Sequence, residues 1–241
     1  MTPLLLHACC GPCSLMPVVH LRDEGFEPTA FFFNPNIHPA DEWKKRRDAM
    51  REVSEKLGVP LLEEGGPENP GLWVRALHGV TREGERCALC YRPRMERTAA
   101  LAAEQGFDAF TSSLLYSRYQ HHETIIAEAQ RAAALAGARF LYRDFRPWWW
   151  DGINLSKELG IYRQKWCGCI LSMKEALLQQ KEAEERTGPE APAGAPVFLF
   201  GAAAAAFGAA AALPGGAGRP DARYRAVHEP CRRYSCCTDI F

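Results

Sequence analysis

The stretch Leu4-Leu-Leu-His-Ala-Cys-Cys-Gly-Pro-Cys-Ser14 joins a short apolar run to three thiols. A run from Leu4 to Ala8 that stops at Gly11-Pro12 reads as a buried strand entering a loop. Ser14 is placed to cap a helix that runs to Asp23 or Glu24 and stops at Gly25. The alternation then repeats. Thr29 to Phe33 is an apolar run cut off by Asn34-Pro35, and His38-Pro39 with Asp41 and Glu42 starts a helix whose Trp43, Met50, Val53 and Leu57 share one face up to Gly58. Further strands are predicted at Val59 to Leu62, Phe107 to Thr111 and Ala138 to Tyr142. Further helices are predicted at Leu72 to His78, Tyr91 to Gln105, His121 to Ala136, Trp150 to Gly160 and Ile170 to Arg186. Strands alternating with helices predict an α/β fold with a parallel sheet flanked by helices.

The chain has 241 residues, enough for one substantial core and a small appendage. Its 29 basic and 29 acidic side chains cancel, so net charge does not point to nucleic acid and any basic surface must be local. The opening Met1-Thr-Pro-Leu-Leu-Leu-His-Ala has no charged n-region and too short an apolar run for a signal or a span, so a cytoplasmic protein is expected. Composition changes near Thr187. Residues 1–187 are expected to form the α/β domain and 188–241 an Ala/Gly/Pro-rich linker and tail. Val197 to Leu213 is uncharged, but its Ala and Gly content argues against a membrane span.

Seven of the ten cysteines fall in three local groups: Cys9, Cys10 and Cys13; Cys87 and Cys90; Cys167 and Cys169. Thiols used in this way point to metal or redox chemistry. Cys10-Gly-Pro-Cys13 alone suggests a thioredoxin-like dithiol with a reversible disulfide, a cycle that has no need of the other four thiols. Cys87 and Cys90 have the spacing with which two thiolates converge on a metal from a turn, and Cys167-Gly-Cys169 would complete a zinc knuckle that leaves the first group unused. Adjacent side chains diverge on extended backbone, so Cys9 and Cys10 are expected to serve two neighbouring metal centres. A four-ligand iron-sulfur cluster plus a second thiolate-bound metal accommodates the count of thiols better than one zinc.

Six blocks in unbroken order resemble the QueH-type epoxyqueuosine reductases over about residues 4–175: LLHACCGPCS at 5–14, FFNPNIHP at 32–39, ERCALCYRPRMERTA at 85–99, GFDAFTSSLL at 106–115, LYRDFR at 141–146 and LGIYRQKWCGCILS at 159–172. The resemblance implies an oxidoreductase that reduces the epoxide of epoxyqueuosine to queuosine at the wobble position of tRNA, the last step of queuosine biosynthesis. It implies a [4Fe-4S] cluster, a second iron ion beside it and no cobalamin. It also implies a fold akin to the adenine-nucleotide hydrolase (HUP-like) group, with Cys9-Cys10-Gly11-Pro12-Cys13 where the ATP users of that group carry a phosphate loop. Ser112 and Ser113 stand where the family usually has threonines, and Arg118 where proline is common.

Such a reduction takes two electrons and two protons, while an iron-sulfur cluster passes electrons singly. A relay to the adjacent iron as Lewis acid is expected, fed by an external donor such as a ferredoxin or flavodoxin. Asp144, His122, Tyr119 and Tyr116 are the proton-handling candidates by membership of the matching blocks, although Asp144 between Arg143 and Arg146 is as readily a salt-bridged carboxylate. Asn34, Asn36 and His38 follow the second strand, where a parallel sheet lines a ligand crevice, although Asn-Pro-Asn also favours a turn. Tyr162, Arg163 and Gln164 combine a stacking ring, a guanidinium and an amide suited to a flipped-out base and its phosphates. Arg86, Arg92, Arg94 and Arg97 are expected to form a local basic patch for tRNA. Trp148, Trp149 and Trp150 cannot share one helical face, so at least one packs in the core. The alternatives from other classes are a zinc-bound RNA-binding module without catalysis and a thiol-disulfide oxidoreductase using Cys10 and Cys13.

Overall fold

The computed structural model of the chain describes residues 1–186 except Thr81. The expected tail at 188–241, with Val197 to Leu213 and with Cys231, Cys236 and Cys237, lies outside the described residues. Along the chain come β1 (Thr2–His7), α1 (Gly11–Asp23), β2 (Phe26–Phe32), α2 (Ala40–Leu57), β3 (Leu61–Glu63), α3 (Pro70–Ala76), α4 (Glu83–Gln105), β4 (Ala109–Ser112), α5 (His122–Ala136), α6 (Trp149–Glu158) and α7 (Ile170–Arg186). The strands form one parallel sheet in the order β3-β2-β1-β4. Each strand returns only after a helix has crossed a face of the sheet, which is what makes the neighbours parallel. Leu4, Leu5 and Leu6 of β1 are fully buried, so this central strand is apolar on both faces, as helices on both sides require.

With β2 on one side of β1 and β4 on the other, the strand order reverses at β1. That reversal opens a crevice at the carboxyl ends of β1 and β4, where open α/β sheets take their ligands. His7 pairs with Ser112 in the register, so the chain leaving β1 runs beside the chain leaving β4.

Several boundaries differ from the sequence prediction. Pro12, with φ preset, starts α1 at Gly11, and the Ser14 hydroxyl donates to the Cys10 carbonyl at 2.8 Å instead of capping. Gly11 packs against α2: a Cβ there would lie 2.4 Å from the Ala49 carbonyl oxygen, so only glycine lets the two helices touch at this point. Helix α4 starts at Glu83, ahead of the predicted Tyr91, which places Cys87 and Cys90 on a helix and not in a turn. Gly58 and Gly106 end α2 and α4 in the left-handed conformation, as predicted. The predicted strand Ala138 to Tyr142 is reduced to one parallel bridge between Phe110 and Phe140, because β4 is only four residues long and turns at once into a 3-10 segment at Ser113–Tyr116. The three tryptophans divide as predicted: Trp149 is buried, Trp150 is exposed, and Trp148 stacks on His20 with ring centroids 3.6 Å apart.

Candidate metal centre

The chain bends at Cys9 as it leaves β1, and Cys10 is extended as the residue before α1. The bend brings together what straight extended backbone would part. Cys9 Sγ and Cys10 Sγ are 3.8 Å apart, and with Cys13 Sγ from the first turn of α1 all three sulfurs lie within 4.8 Å of one another. A tetrahedral ion with metal–sulfur bonds of about 2.3 Å needs thiolates about 3.8 Å apart. Three such ligands leave a fourth position of the ion to another group.

Ser113, the first residue after β4, holds Cys9 twice: its Oγ accepts from the Cys9 N–H at 2.9 Å and donates to Cys9 Sγ at 3.3 Å. Gln164 Nε2 donates to Cys13 Sγ at 3.3 Å. Hydrogen bonds from the Cys10 and Cys13 thiols, with a smaller one from Ser113, hold Cys9 well below the usual thiol range despite its burial. Burial pushes Cys10 up, and Cys13 is raised because it gives its hydrogen bonds to Cys10 and Cys9. Of the three sulfurs, Cys9 is therefore the one whose thiolate form its neighbours favour.

The second group is assembled from distant segments. Cys87 and Cys90 are one helical turn apart on α4, and Cys90 and Cys169 form a buried cluster with Trp73 and Leu77, against which Cys167 packs. Gly168 has φ +111°, and a Cβ there would lie 3.0 Å from Ile37 Cγ1 and 3.1 Å from Arg46 Nη1, so the Cys167-Gly-Cys169 turn requires glycine. Its carbonyl accepts from the His38 N–H at 2.8 Å. Arg46 donates to the Cys167 carbonyl at 3.0 Å and the Trp166 carbonyl at 2.8 Å, while its Nε donates to Glu42 at 2.7 Å. Glu42 also accepts from Tyr162 Oη at 2.6 Å. Arg46 and Glu42 are 2 % and 3 % exposed, and these extra hydrogen bonds offset the desolvation that otherwise makes a buried ion pair unfavourable.

Polar hydrogens point at these sulfurs as well. Asn36 Nδ2 donates to Cys90 Sγ at 3.2 Å, Trp73 Nε1 donates to Cys169 Sγ at 3.4 Å, and Ser172 Oγ lies 2.8 Å from Cys167 Sγ. Asn36 Oδ1 in turn accepts from Nε of Arg94 at 2.8 Å and from its Nη2. Arg94 is buried and has no carboxylate partner among the described residues. A guanidinium in that position needs anionic charge close by, which Cys90 supplies only as a thiolate, the form that Arg94 favours and burial opposes. Burial pushes Cys87 up to about 12 and Cys90 up to about 11, so these thiols shed their protons to a metal far more readily than to water. Neutral thiols are weak acceptors, and donors from Ser113, Gln164, Asn36 and Trp73 aimed at four different sulfurs fit metal-bound thiolates.

The remaining predicted residues separate into two sets. The four arginines do not make an open basic patch: Arg86 pairs with Glu175, Arg92 with Glu128, Arg97 with Glu64 and Glu104, and Arg94 faces inward. Their acidic partners come from other elements, which spacing along α4 does not reveal. Asn34 and Asn36 also turn inward, Asn34 Nδ2 donating to the Ala8 carbonyl at 2.9 Å, so they brace the sulfur-bearing backbone. Gln164 and Tyr162 do stand beside the site, and half-buried Arg163 makes no hydrogen bond or ion pair among the described residues.

Asp144 accepts from the Arg146 side chain at 2.8 and 2.7 Å and from its backbone N–H at 3.0 Å. Those bonds hold its carboxyl below the usual range, so it is anionic at neutral pH and carries no proton to give. His122 Nε2 lies 3.1 Å from Tyr142 Oη, and burial followed by the Arg146 charge lowers its basicity. Tyr119 is exposed and meets Trp149 edge-on, while buried Tyr116 donates to the Trp149 carbonyl at 2.8 Å and has its phenol pushed up by burial and then by Cys13 and Cys10.

Sequence reasoning passed over Arg46, Glu42 and Trp73 as site residues. For the first two a signal existed. Glu42 and Arg46, four apart, lie on the apolar stripe of α2 with Trp43, Ala49, Met50 and Val53, where a charged pair must have a buried task.

A parallel sheet with a buried thiol triad at the carboxyl end of its central strand defines an α/β domain with a site that can hold metal. The family model described as Epoxyqueuosine reductase QueH matches residues 4–175, and the chain belongs to that family. It is similar to the Epoxyqueuosine reductase QueH of Dehalococcoides mccartyi, 36 % identical over 172 residues, 71 % of this chain and 93 % of that protein. It is also similar to the protein of the same name from Thermotoga maritima, 34 % identical over 194 residues, 78 % of this chain and 99 % of the relative. Among solved structures, the U34-tRNA thiolase NcsA of Methanococcus maripaludis with its [4Fe-4S] cluster is similar at a TM-score of 0.44 and 13 % identity, over 77 % of this chain and 67 % of that one. A likeness at that level carries no weight for fold or cofactor. No helix among the described residues is long and apolar enough to cross a membrane.

Proposed function

We propose that this chain is a cobalamin-independent epoxyqueuosine reductase, acting on epoxyqueuosine in tRNA in the cytoplasm. The carrying observation is the buried thiol triad at the carboxyl end of the central strand, with protein hydrogen-bond donors aimed at sulfurs of the triad and of the second thiol group. Cys9, Cys10, Cys13, Cys87, Cys90, Cys167 and Cys169 would hold a [4Fe-4S] cluster and a second iron, which supply single electrons and Lewis acidity at the epoxide oxygen.

The chain's own groups do the rest. Arg46 and Arg94 place buried positive charge beside anionic sulfur, and Ser113, Gln164, Asn36 and Trp73 orient the thiolates. Tyr162 and Arg163 face the substrate, one as a stacking ring and the other as an unpaired guanidinium for phosphate. His122 and Tyr119 handle protons, and anionic Asp144 orients by accepting a hydrogen bond. Two electrons from a ferredoxin- or flavodoxin-class donor and two protons remove the epoxide oxygen as water and leave the alkene.

The test is anaerobic: the full chain, reconstituted with iron and sulfide and chemically reduced, is given tRNA bearing epoxyqueuosine, and the nucleosides are read by mass spectrometry. Queuosine is expected, and substrate left intact by iron-replete protein would sink the assignment. A colourless zinc protein that binds tRNA without turnover would favour the RNA-binding module. Metal-free protein cycling a Cys10–Cys13 disulfide would favour the thiol oxidoreductase.

A further inference from the structure

An open cleft of about 360 Å³ is lined by Arg118, Asp144, Arg146 and Pro147. Three exposed rings adjoin these residues: Trp150, 46 % exposed, under Arg118, Tyr119, 60 % exposed, next to Arg118 in the chain, and Tyr142, 42 % exposed, two residues before Asp144. Arg118 stands over the Trp150 ring, 6.0 Å from its centroid, and makes no ion pair among the described residues. Arg146 is occupied by Asp144. Aromatic surface left in water recovers no burial energy, and the guanidinium over Trp150 has no ion-pair partner among the described residues. Together they form a stacking platform with a phosphate-binding cation.

A chain of three rings runs from the residue next to Arg118 toward the thiols. Tyr116, whose phenol feels the charge of Cys13 and Cys10, packs on Trp149 with ring centroids 5.1 Å apart, and Trp149 meets Tyr119 at 5.6 Å. We propose that this cleft holds an unpaired nucleotide of the substrate RNA, next to the one that enters the thiol site. Its base lies against Trp150, and its phosphate lies at Arg118. This inference rests on the proposed action on tRNA. An acidic electron-carrier protein is the competing occupant, but a carrier docks on charge, and here Arg118 is the one cleft cation without an ion pair among the described residues, beside exposed aromatic surface.

The test is equilibrium binding of epoxyqueuosine-bearing tRNA to oxidised, iron-replete full-length protein, which does not turn over, at several salt concentrations. Arg118→Met is expected to raise Kd about fivefold and to lower the salt slope by about one phosphate contact. Trp150→Ala is expected to raise Kd about tenfold, and Trp150→Phe, which keeps a stacking face, much less. Arg139→Met removes a charge beside Asp108 at the amino end of β4 and is expected to leave Kd unchanged. Arg118→Met and Trp150→Ala proteins that bind tRNA within about twofold of wild type, with an unchanged salt slope, would overturn the inference. So would unchanged tRNA binding with slowed reduction by a protein carrier, which would give the surface to the carrier. Wild type that fails to reduce the substrate while these variants still lose RNA affinity would sink the reductase reading and leave the cleft standing.

Discussion

Cys9, Cys10 and Cys13 come from one short segment, and a bend followed by the first turn of α1 suffices to bring their sulfurs within 4.8 Å of one another. Cys87, Cys90, Cys167 and Cys169 come from two distant segments: Arg46, His38 and Trp73 hold the later turn, while Asn36, two residues before His38, holds Cys90 of α4. The first group depends on backbone geometry next to the sheet. The second depends on a side-chain network, and damage to that network should leave the first group intact.

The largest effect expected is at the backbone of the first group. In Gly11→Ala the new Cβ would meet the Ala49 carbonyl oxygen at 2.4 Å and its carbon at 2.7 Å, both rigid. The helices must separate, at a cost of about 3 kcal/mol read from urea unfolding, with iron uptake falling alongside. Wild-type stability in this variant would mean that the α1–α2 contact does not set the triad.

Asn36→Ala should cost about 2 kcal/mol, because buried Arg94 loses its charge-assisted hydrogen bonds and Cys90 loses its donor. Cobalt(II) titration of the metal-free variant should still show a thiolate complex at the triad. Loss of both groups together would erase the distinction between them.

Gly168→Ala forces a side chain into a φ of +111° against Ile37 and Arg46, for about 1–2 kcal/mol. Its cobalt complex at the triad should match that of wild type, while iron per chain after reconstitution falls.

The smallest effect is chemical. In metal-free protein at pH 7, iodoacetamide should modify Cys9 before Cys87, although Cys87 is the more accessible, because Cys9 is held low by its sulfur neighbours and burial pushes Cys87 up to about 12. Ser113→Ala removes one hydrogen bond that lowers Cys9, so the alkylation profile should move to higher pH, at a stability cost of about 1 kcal/mol. Cys87 reacting first, as peptide mapping would show, would mean that access and not thiolate character decides.

Much of this was legible before any packing was known. The apolar runs in β1, β2 and β4, the left-handed glycines that stop α2 and α4, and the division of Trp148, Trp149 and Trp150 all follow from local rules. The run at Ala138 to Tyr142 looked equally strand-like, yet it finds only one bridging position beside a four-residue β4. The arginines of α4 looked like an RNA-facing patch, yet Glu175, Glu128, Glu64 and Glu104 neutralise three of them from elsewhere and Arg94 turns inward.

By itself the sequence determined the alternating α/β plan, the thiol groups at their local spacings and, through six ordered blocks, the family. These depend on turn chemistry, side-chain periodicity and residue identity, which are properties of neighbouring residues. Only the tertiary structure decided that Cys9 and Cys10 converge, that Asn36 and Arg94 serve Cys90, that Arg46 seats the Cys167-Gly-Cys169 turn, and that Arg118 stands over Trp150. Those facts depend on which distant segments the packed sheet brings within hydrogen-bond reach.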